Sequence, residues 1–196
     1  MNNSELTKED GLTLIQHAYQ TIAEHLGKPA SESEVNDVRE ALTAPVFNVA
    51  GGTFVTLKKL QNLRGCIGTL VSDKTIAEGV RSNALNAAFN DYRFKPLTAD
   101  ELKELEVEVS VLSTPETLEY KDWQELVTKI QVGTDGVILR KGSASATFLP
   151  QVWQQLPHPE SFLSQLALKA GLPEDAWKTG STDIETYQVQ SFSRTF

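Results

Sequence analysis

Leu63-Arg64-Gly65-Cys66-Ile67-Gly68-Thr69-Leu70 holds the single cysteine of the chain, bracketed by two glycines and preceded by an arginine. The run is otherwise apolar enough to be a strand. Glycine inside a strand costs backbone entropy and brings no side chain, so two of them around one thiol signal a bulge, a close backbone approach or a ligand. Side chains alternate across a strand, which puts Arg64 and Cys66 on one face and Ile67 and Thr69 on the other unless a glycine bulge breaks the parity.

Working upstream, residues 59–62 read as a polar turn and 53–58 as the preceding strand. Residues 45–50 followed by Gly51-Gly52 read as a further strand and a hairpin turn, which makes the cysteine strand part of an antiparallel meander. Before it, Thr7 with Asp10 resembles a helix cap, and Leu12, Ile15, Tyr19, Ile22, Ala23 and Leu26 recur at helical spacing over residues 8–26. Gly27 and Pro29 stop that helix, and a short one follows over residues 32–42.

Downstream, Asp73 is a plausible N-cap for a helix to about residue 89. A polar and aromatic connection over residues 90–97 leads to a second capping pattern, Thr98 with Glu101. Leu105, Val107, Val109 and Val111 then alternate with Glu106, Glu108 and Ser110, the clearest half-buried strand in the chain. Asp122 can cap a helix carrying Trp123, Leu126, Val127 and Ile130. Residues 137–141 and 147–149 read as a second hairpin. A short helical segment begins at Pro150, a helix over residues 161–170 ends at Gly171, a turn carries Trp177, and residues 184–192 read as one returning strand.

With 196 residues, 40% hydrophobic and 22% charged, the chain fits one folded domain of ordinary size, or one with a smaller lobe inserted. The formal net charge of -8 argues against binding to nucleic-acid backbone, an affinity that comes from lysine and arginine neutralising phosphate. One cysteine excludes an intrachain disulfide and fits a reducing compartment. The first five residues have no basic segment followed by an apolar one, and no stretch approaches the ~18 apolar residues needed to span a bilayer. The expected location is the cytoplasm, with neither membrane nor nucleic acid as a partner.

The Leu63–Leu70 stretch resembles the LRGCIGT signature of the AMMECR domain family, known in prokaryotes as protein A of a gene trio with Memo and radical SAM proteins (the AmmeMemoRadiSam system). Residues 88–91 (AFND), Arg93-Phe94 and Pro96-Leu97 resemble the family's AFxDxRFxPL segment, and Val107 to Leu112 its following strand. Residues 132–139 (VGTDGVIL), 148–153 (FLPQVW) and 169–172 (KAGL) match in order and spacing. The chain departs from the pattern at Tyr92 and Lys95, where the family often carries prolines, and at Ala167, where it often carries a second cysteine. The absent thiol argues against any mechanism needing a cysteine pair. The resemblance implies an α+β fold: an antiparallel sheet flanked by helices in a larger lobe built from both chain ends, a smaller α+β lobe inserted, and a cleft between lobes near the cysteine motif. It also points to Memo-type and radical SAM proteins as partners. It implies no reaction.

Three readings of the residues compete. In the first, Cys66 is a catalytic nucleophile, its thiolate favoured by Arg64 and an oxyanion held by the glycine-flanked amides. His17, His25 and His158 are remote in sequence as bases. In the second, Arg64 and Arg93 present guanidinium forks to a small anionic ligand, with Gly65, Cys66, Gly68, Thr69 and Asp91 completing an inter-lobe pocket. The competing role for Arg64 is a structural pair with Asp91 or Glu108. The third is a protein-docking adaptor with a structural cysteine and an apolar patch around Trp153 or the strand ending at Phe196. Scattered histidines and one cysteine lack metal-ligand spacing, and no cofactor is expected. Asp91 with Glu106 or Glu108 could form a carboxylate pair, although strand glutamates more often make a solvated face. Trp123, Trp153 and Trp177 read as packing residues first. The ligand pocket is the reading these residues favour.

Overall fold

A computed structural model describes residues 5–196; residues 1–4, on which the reading of no leader partly rests, lie outside the described residues. The chain divides into two compact units, one running to Leu112 and resuming at Gln190–Phe196, the other spanning Ser113–Val189.

In the first unit Thr7 caps helix α1 (Lys8–His25) through a reciprocal box with Asp10. Leu14, Ile15, Ala18 and Ile22 on α1 are fully buried. Helix α2 (Glu32–Ala41) is capped in the same way by Ser31 and Glu34, yet buries none of its residues. The expected strand over residues 45–50 is instead a 3₁₀ turn, Pro45–Phe47, with proline at its start and Phe47 in the core. Gly51-Gly52 is not a hairpin turn either. Ala50 bridges to Thr75, the Gly52 carbonyl accepts from Leu112 N–H at 2.9 Å, and a Cβ on Gly52 would lie 2.1 Å from the Leu70 carbonyl oxygen. These glycines serve close approach rather than chain reversal.

Strands β1 (Thr53–Lys59) and β2 (Asn62–Thr69) form the hairpin that carries the cysteine motif. Its turn places Leu60 and Gln61 at φ of 49° and 65°, the left-handed geometry that matches the strand twist in a two-residue hairpin loop. Helix α3 (Ile76–Leu85) starts from Thr75 with Glu78, not from Asp73, because that pair completes a reciprocal cap. Beyond α3 the helix widens into a π turn, Asn86–Asn90. Strand β3 (Leu105–Leu112) buries Leu105, Val107, Val109 and Val111 as expected, but Ser110 on the other face is buried too, its hydroxyl 2.8 Å from that of Ser191.

The second unit contains β4 (Glu116–Thr117), α4 (Trp123–Lys129), β5 (Gly136–Lys141), β6 (Ala144–Phe148), α5 (Pro159–Lys169) and β7 (Asp183–Tyr187). The terminal run is two strands rather than one: it breaks at Gln188 and continues as β8 (Val189–Thr195). The sheet orders are β2-β1-β3-β8 and β4-β7-β5-β6, so β7 and β8 belong to different sheets. The result is an α+β fold with two antiparallel sheets.

In the first unit Val55, Leu57, Val107 and Val109 are fully buried in one core with α1 and α3. Burying each such side chain is worth roughly 1.5–3 kcal/mol. Gly79 lets α3 approach β1, since a Cβ there would stand 2.7 Å from the Thr53 hydroxyl. In the second unit Phe162, Leu163, Leu166 and Trp177 are fully buried, and Trp153 stacks on Phe162 at 3.7 Å. Trp153 is only 3% exposed, with its Nε1–H donated to the Asp135 carbonyl, so it forms core and offers no docking patch.

Candidate functional site

The cysteine strand carries a bulge. Leu57 pairs with Gly65 and Lys58 with Leu63, leaving Arg64 as the extra residue on β2. A bulge re-aims the side chain it carries, and simple alternation between Arg64 and Cys66 is lost. Cys66 pairs with Thr56 on β1, whose hydroxyl lies 3.3 Å from Sγ. The thiol is free and half-buried.

Each flanking glycine has a packing reason. A Cβ on Gly65 would stand 2.1 Å from the Ala87 carbonyl oxygen in the π turn, and one on Gly68 would stand 2.1 Å from the Phe54 ring. The π turn thus lies directly against β2. Single π turns recur at functional sites, because the extra residue shifts the positions that follow it. Here it leads into Asp91, which is 4% exposed.

Asp91 and Arg93 together hold the backbone on both sides of the thiol. Asp91 Oδ2 accepts the Cys66 N–H at 2.9 Å and Arg93 Nη2 at 2.7 Å, its Oδ1 accepts Arg93 Nε at 2.9 Å, and Arg93 Nη2 also donates to the Cys66 carbonyl at 3.1 Å. The Arg93 guanidinium and the Cys66 N–H hold the Asp91 carboxyl well below the usual carboxylate range, against the opposing effect of burial. Arg93 remains 43% exposed, its guanidinium 5.5 Å from the Phe94 ring, and the neighbouring Tyr92 is 95% exposed. The loop is ordered by Phe94 N–H to the Asp91 carbonyl and Leu97 N–H to the Ala88 carbonyl.

Arg64 is engaged by neither Asp91 nor Glu108. Its Nε and Nη2 donate to Glu101 at 2.8 and 3.0 Å, a bidentate pair, and Nη2 reaches the Pro96 carbonyl at 3.3 Å. The Arg64 guanidinium, with help from Thr98, lowers the Glu101 pKa to about 2. Nη1 of Arg64 is buried without a hydrogen-bond partner. The suggested carboxylate pair of Asp91 with Glu106 or Glu108 does not form, because Lys58 holds Glu108 at 2.8 Å and Glu106 at 3.4 Å while Arg93 takes Asp91.

Cys66, Asp91 and Arg93 therefore form one hydrogen-bonded cluster, with Gly65 beside it and the Arg64–Glu101 pair on the adjoining bulge. Thr69, at the far end of β2, instead lines a separate polar cavity of about 300 Å³ with Lys74, Ser82, Asn83 and Asn86. Among the described residues, the Thr56 hydroxyl is the only hydrogen-bond partner of Sγ. His25 packs against Phe89 with ring centroids 4.3 Å apart and the rings tilted by 35°, and His17 lines a cavity among the helices. His158 precedes α5 in the second unit. Among the described residues no three of His, Cys, Asp and Glu group as metal ligands would, and no helix is long and apolar enough to cross a membrane.

Thr56 and Glu101 are site residues that the sequence reading did not single out as such. Glu101 carried a signal, its capping pattern with Thr98. The box does form, and the same carboxylate also holds Arg64.

The chain as a whole is similar to known proteins. Residues 15–192 match the model of the AMMECR1 family. A protein of Methanothermobacter thermautotrophicus is 37% identical, the match covering 98% of each chain. Protein MK0488 of Methanopyrus kandleri is 37% identical, with 96% of this chain and 90% of that one covered. The crystal structure of PH0010, an uncharacterised protein of Pyrococcus horikoshii, superposes with a TM-score of 0.76 at 33% identity, over 97% of this chain and 94% of that one.

Proposed function

The chain belongs to the AMMECR1 family, and we propose that within it the β2 bulge and the Asp91–Arg93 loop form a binding site for a small anionic ligand. Arg93 and Arg64 supply the guanidinium contacts, and Cys66 lines the site. Asp91 positions Arg93, while Gly65 and Gly68 let the π turn and Phe54 pack closely enough to hold the strand. All these residues lie in the first unit.

The observation that carries the reading is Arg64 Nη1, buried without a hydrogen-bond partner among the described residues, beside Arg93, an exposed side chain whose Nη1 has no acceptor among them either, while carboxylates hold the other nitrogens of both forks. A buried donor left unpaired costs about 1–3 kcal/mol, and a bound oxyanion is the acceptor that guanidinium geometry suits best. Binding is favoured over cysteine catalysis because no base among the described residues touches Sγ. Memo-type and radical SAM proteins in the cytoplasm are the partners that would supply or consume such a ligand.

The test is an NMR titration of the Gly65, Cys66 and Gly68 amides with inorganic phosphate and sulfate at constant ionic strength. Saturable shifts, weakened roughly ten-fold by Arg93→Gln, are expected for loss of a charged hydrogen bond. Amides that do not respond, or that respond equally in the variant, overturn the proposal.

A further inference from the structure

A second site lies away from the cysteine strand, among the three helices of the first unit. α1, the connector after it, α2 and α3 line an open cavity of about 420 Å³, a volume within the range of small-molecule sites. Its apolar wall comes largely from α2. Val35, Val38 and Leu42 recur at helical spacing and line the cavity, yet none is fully buried, and α2 contributes no residue to the core. Val35 and Val38 face this space, while Leu42 at the end of the stripe also packs against the core of the unit.

Arg39 shares that face, four residues on from Val35. It donates only to Asn36, at 2.9 Å, and forms no ion pair among the described residues, although Glu32, Glu34, Asp37 and Glu40 stand on the same helix. Arg81 enters from α3 and makes neither a hydrogen bond nor an ion pair among the described residues. Both arginines line the cavity, together with half-buried His17 and one acid, Glu24. Burial is the main cause lowering the His17 pKa, and Arg81 adds to it, so at neutral pH the imidazole is a neutral hydrogen-bonding group. Gln20, nearly buried, ties α1 to α2 through a bond from Nε2 to the Glu34 carbonyl at 3.1 Å. In a chain of net charge -8, two guanidiniums that form no ion pair among the described residues, set against the single acid Glu24 on one apolar-walled cavity, match an amphipathic anion.

We propose that this cavity binds a small organic anion, its oxyanion group held by Arg39 and Arg81 and its apolar body seated on Val35, Val38 and Leu42. The site is independent of the cysteine cluster and shares none of its residues.

The test is a titration of isotopically labelled protein with phenylacetate and phenyl phosphate, with benzyl alcohol as the uncharged control. Saturable amide shifts are expected along α1 from His17 to Glu24, along α2 from Val35, and around Arg81. Arg39→Gln and Arg81→Gln, both at exposed positions, should each weaken binding roughly ten-fold while leaving the spectrum elsewhere unchanged. Benzyl alcohol should bind at least about ten-fold more weakly than either anion. No shift at the cavity up to roughly 10 mM probe overturns the proposal, as do shifts confined to the surroundings of Arg93 or affinities unchanged in both variants.

Discussion

The buried carboxylate of Asp91 accepts the backbone N–H of Cys66 at 2.9 Å, across 25 residues of sequence, and so fixes the π turn's exit against the cysteine strand. The same carboxylate holds Arg93, which returns to the Cys66 carbonyl. Asp91→Asn keeps the size of the side chain but removes the charge that these donors require. Urea denaturation should show a loss of about 2–4 kcal/mol, the usual cost of breaking a buried charged network. A loss below about 0.5 kcal/mol, the scatter of ordinary surface substitutions, would show that the cluster does not hold the loop.

The two glycines of the motif should differ in tolerance. Gly65→Ala drives a methyl into backbone, the Ala87 carbonyl, whereas Gly68→Ala meets a side chain, the Phe54 ring, that can rotate or be trimmed. Gly65→Ala should cost about 3 kcal/mol or more, and Gly68→Ala nearer 1 kcal/mol. A Phe54→Leu background should relieve Gly68→Ala and leave Gly65→Ala unrelieved. A double-mutant cycle checks this, and equal costs with no coupling to Phe54 would contradict it.

Glu101 titrates at about 2 in the folded chain against an ordinary value of 4.5, chiefly because of Arg64. A carboxylate whose folded pKa is depressed adds stability above its unfolded pKa, and that stability is lost as pH falls through the folded one. The stability gap between wild type and Glu101→Gln should therefore be full at neutral pH, shrink below pH 4.5 and close near pH 2. Its size at neutral pH should be on the order of 1–2 kcal/mol after allowing for solvent screening. Chemical denaturation over that pH range measures it, and a gap independent of pH would contradict the pairing.

Much of the first unit was legible in the sequence, and the reasons are local. α1 carried a reciprocal cap and a long apolar period, and β3 alternated without interruption, so both are where the sequence places them. Gly51-Gly52 misled because glycine marks both turns and close approach, and only the position of Leu70 and Leu112 decides between them. The glycines around Cys66 did signal close approach, but the groups that approach depend on a π turn with no sequence signature for Ala87 and on the β1–β2 register for Phe54. The Arg64–Glu101 pair was hidden in another way. It spans 37 residues, depends on a bulge that turns Arg64 out of register, and uses a glutamate whose local role as a cap already explained it. The break at Gln188 was invisible because both halves of the terminal run have strand-like composition, and only the pairing of β7 and β8 with different sheets separates them.

The most direct test of the proposed anion site is native mass spectrometry of freshly purified wild type beside Arg93→Gln, each remeasured after denaturation. A small non-covalent adduct on the wild type, lost on denaturation and absent from the variant, is the expected result, and its mass would define the ligand. A wild type carrying no adduct, an adduct that Arg93→Gln retains, or one that survives denaturation would contradict a reversible anion site built on Arg93.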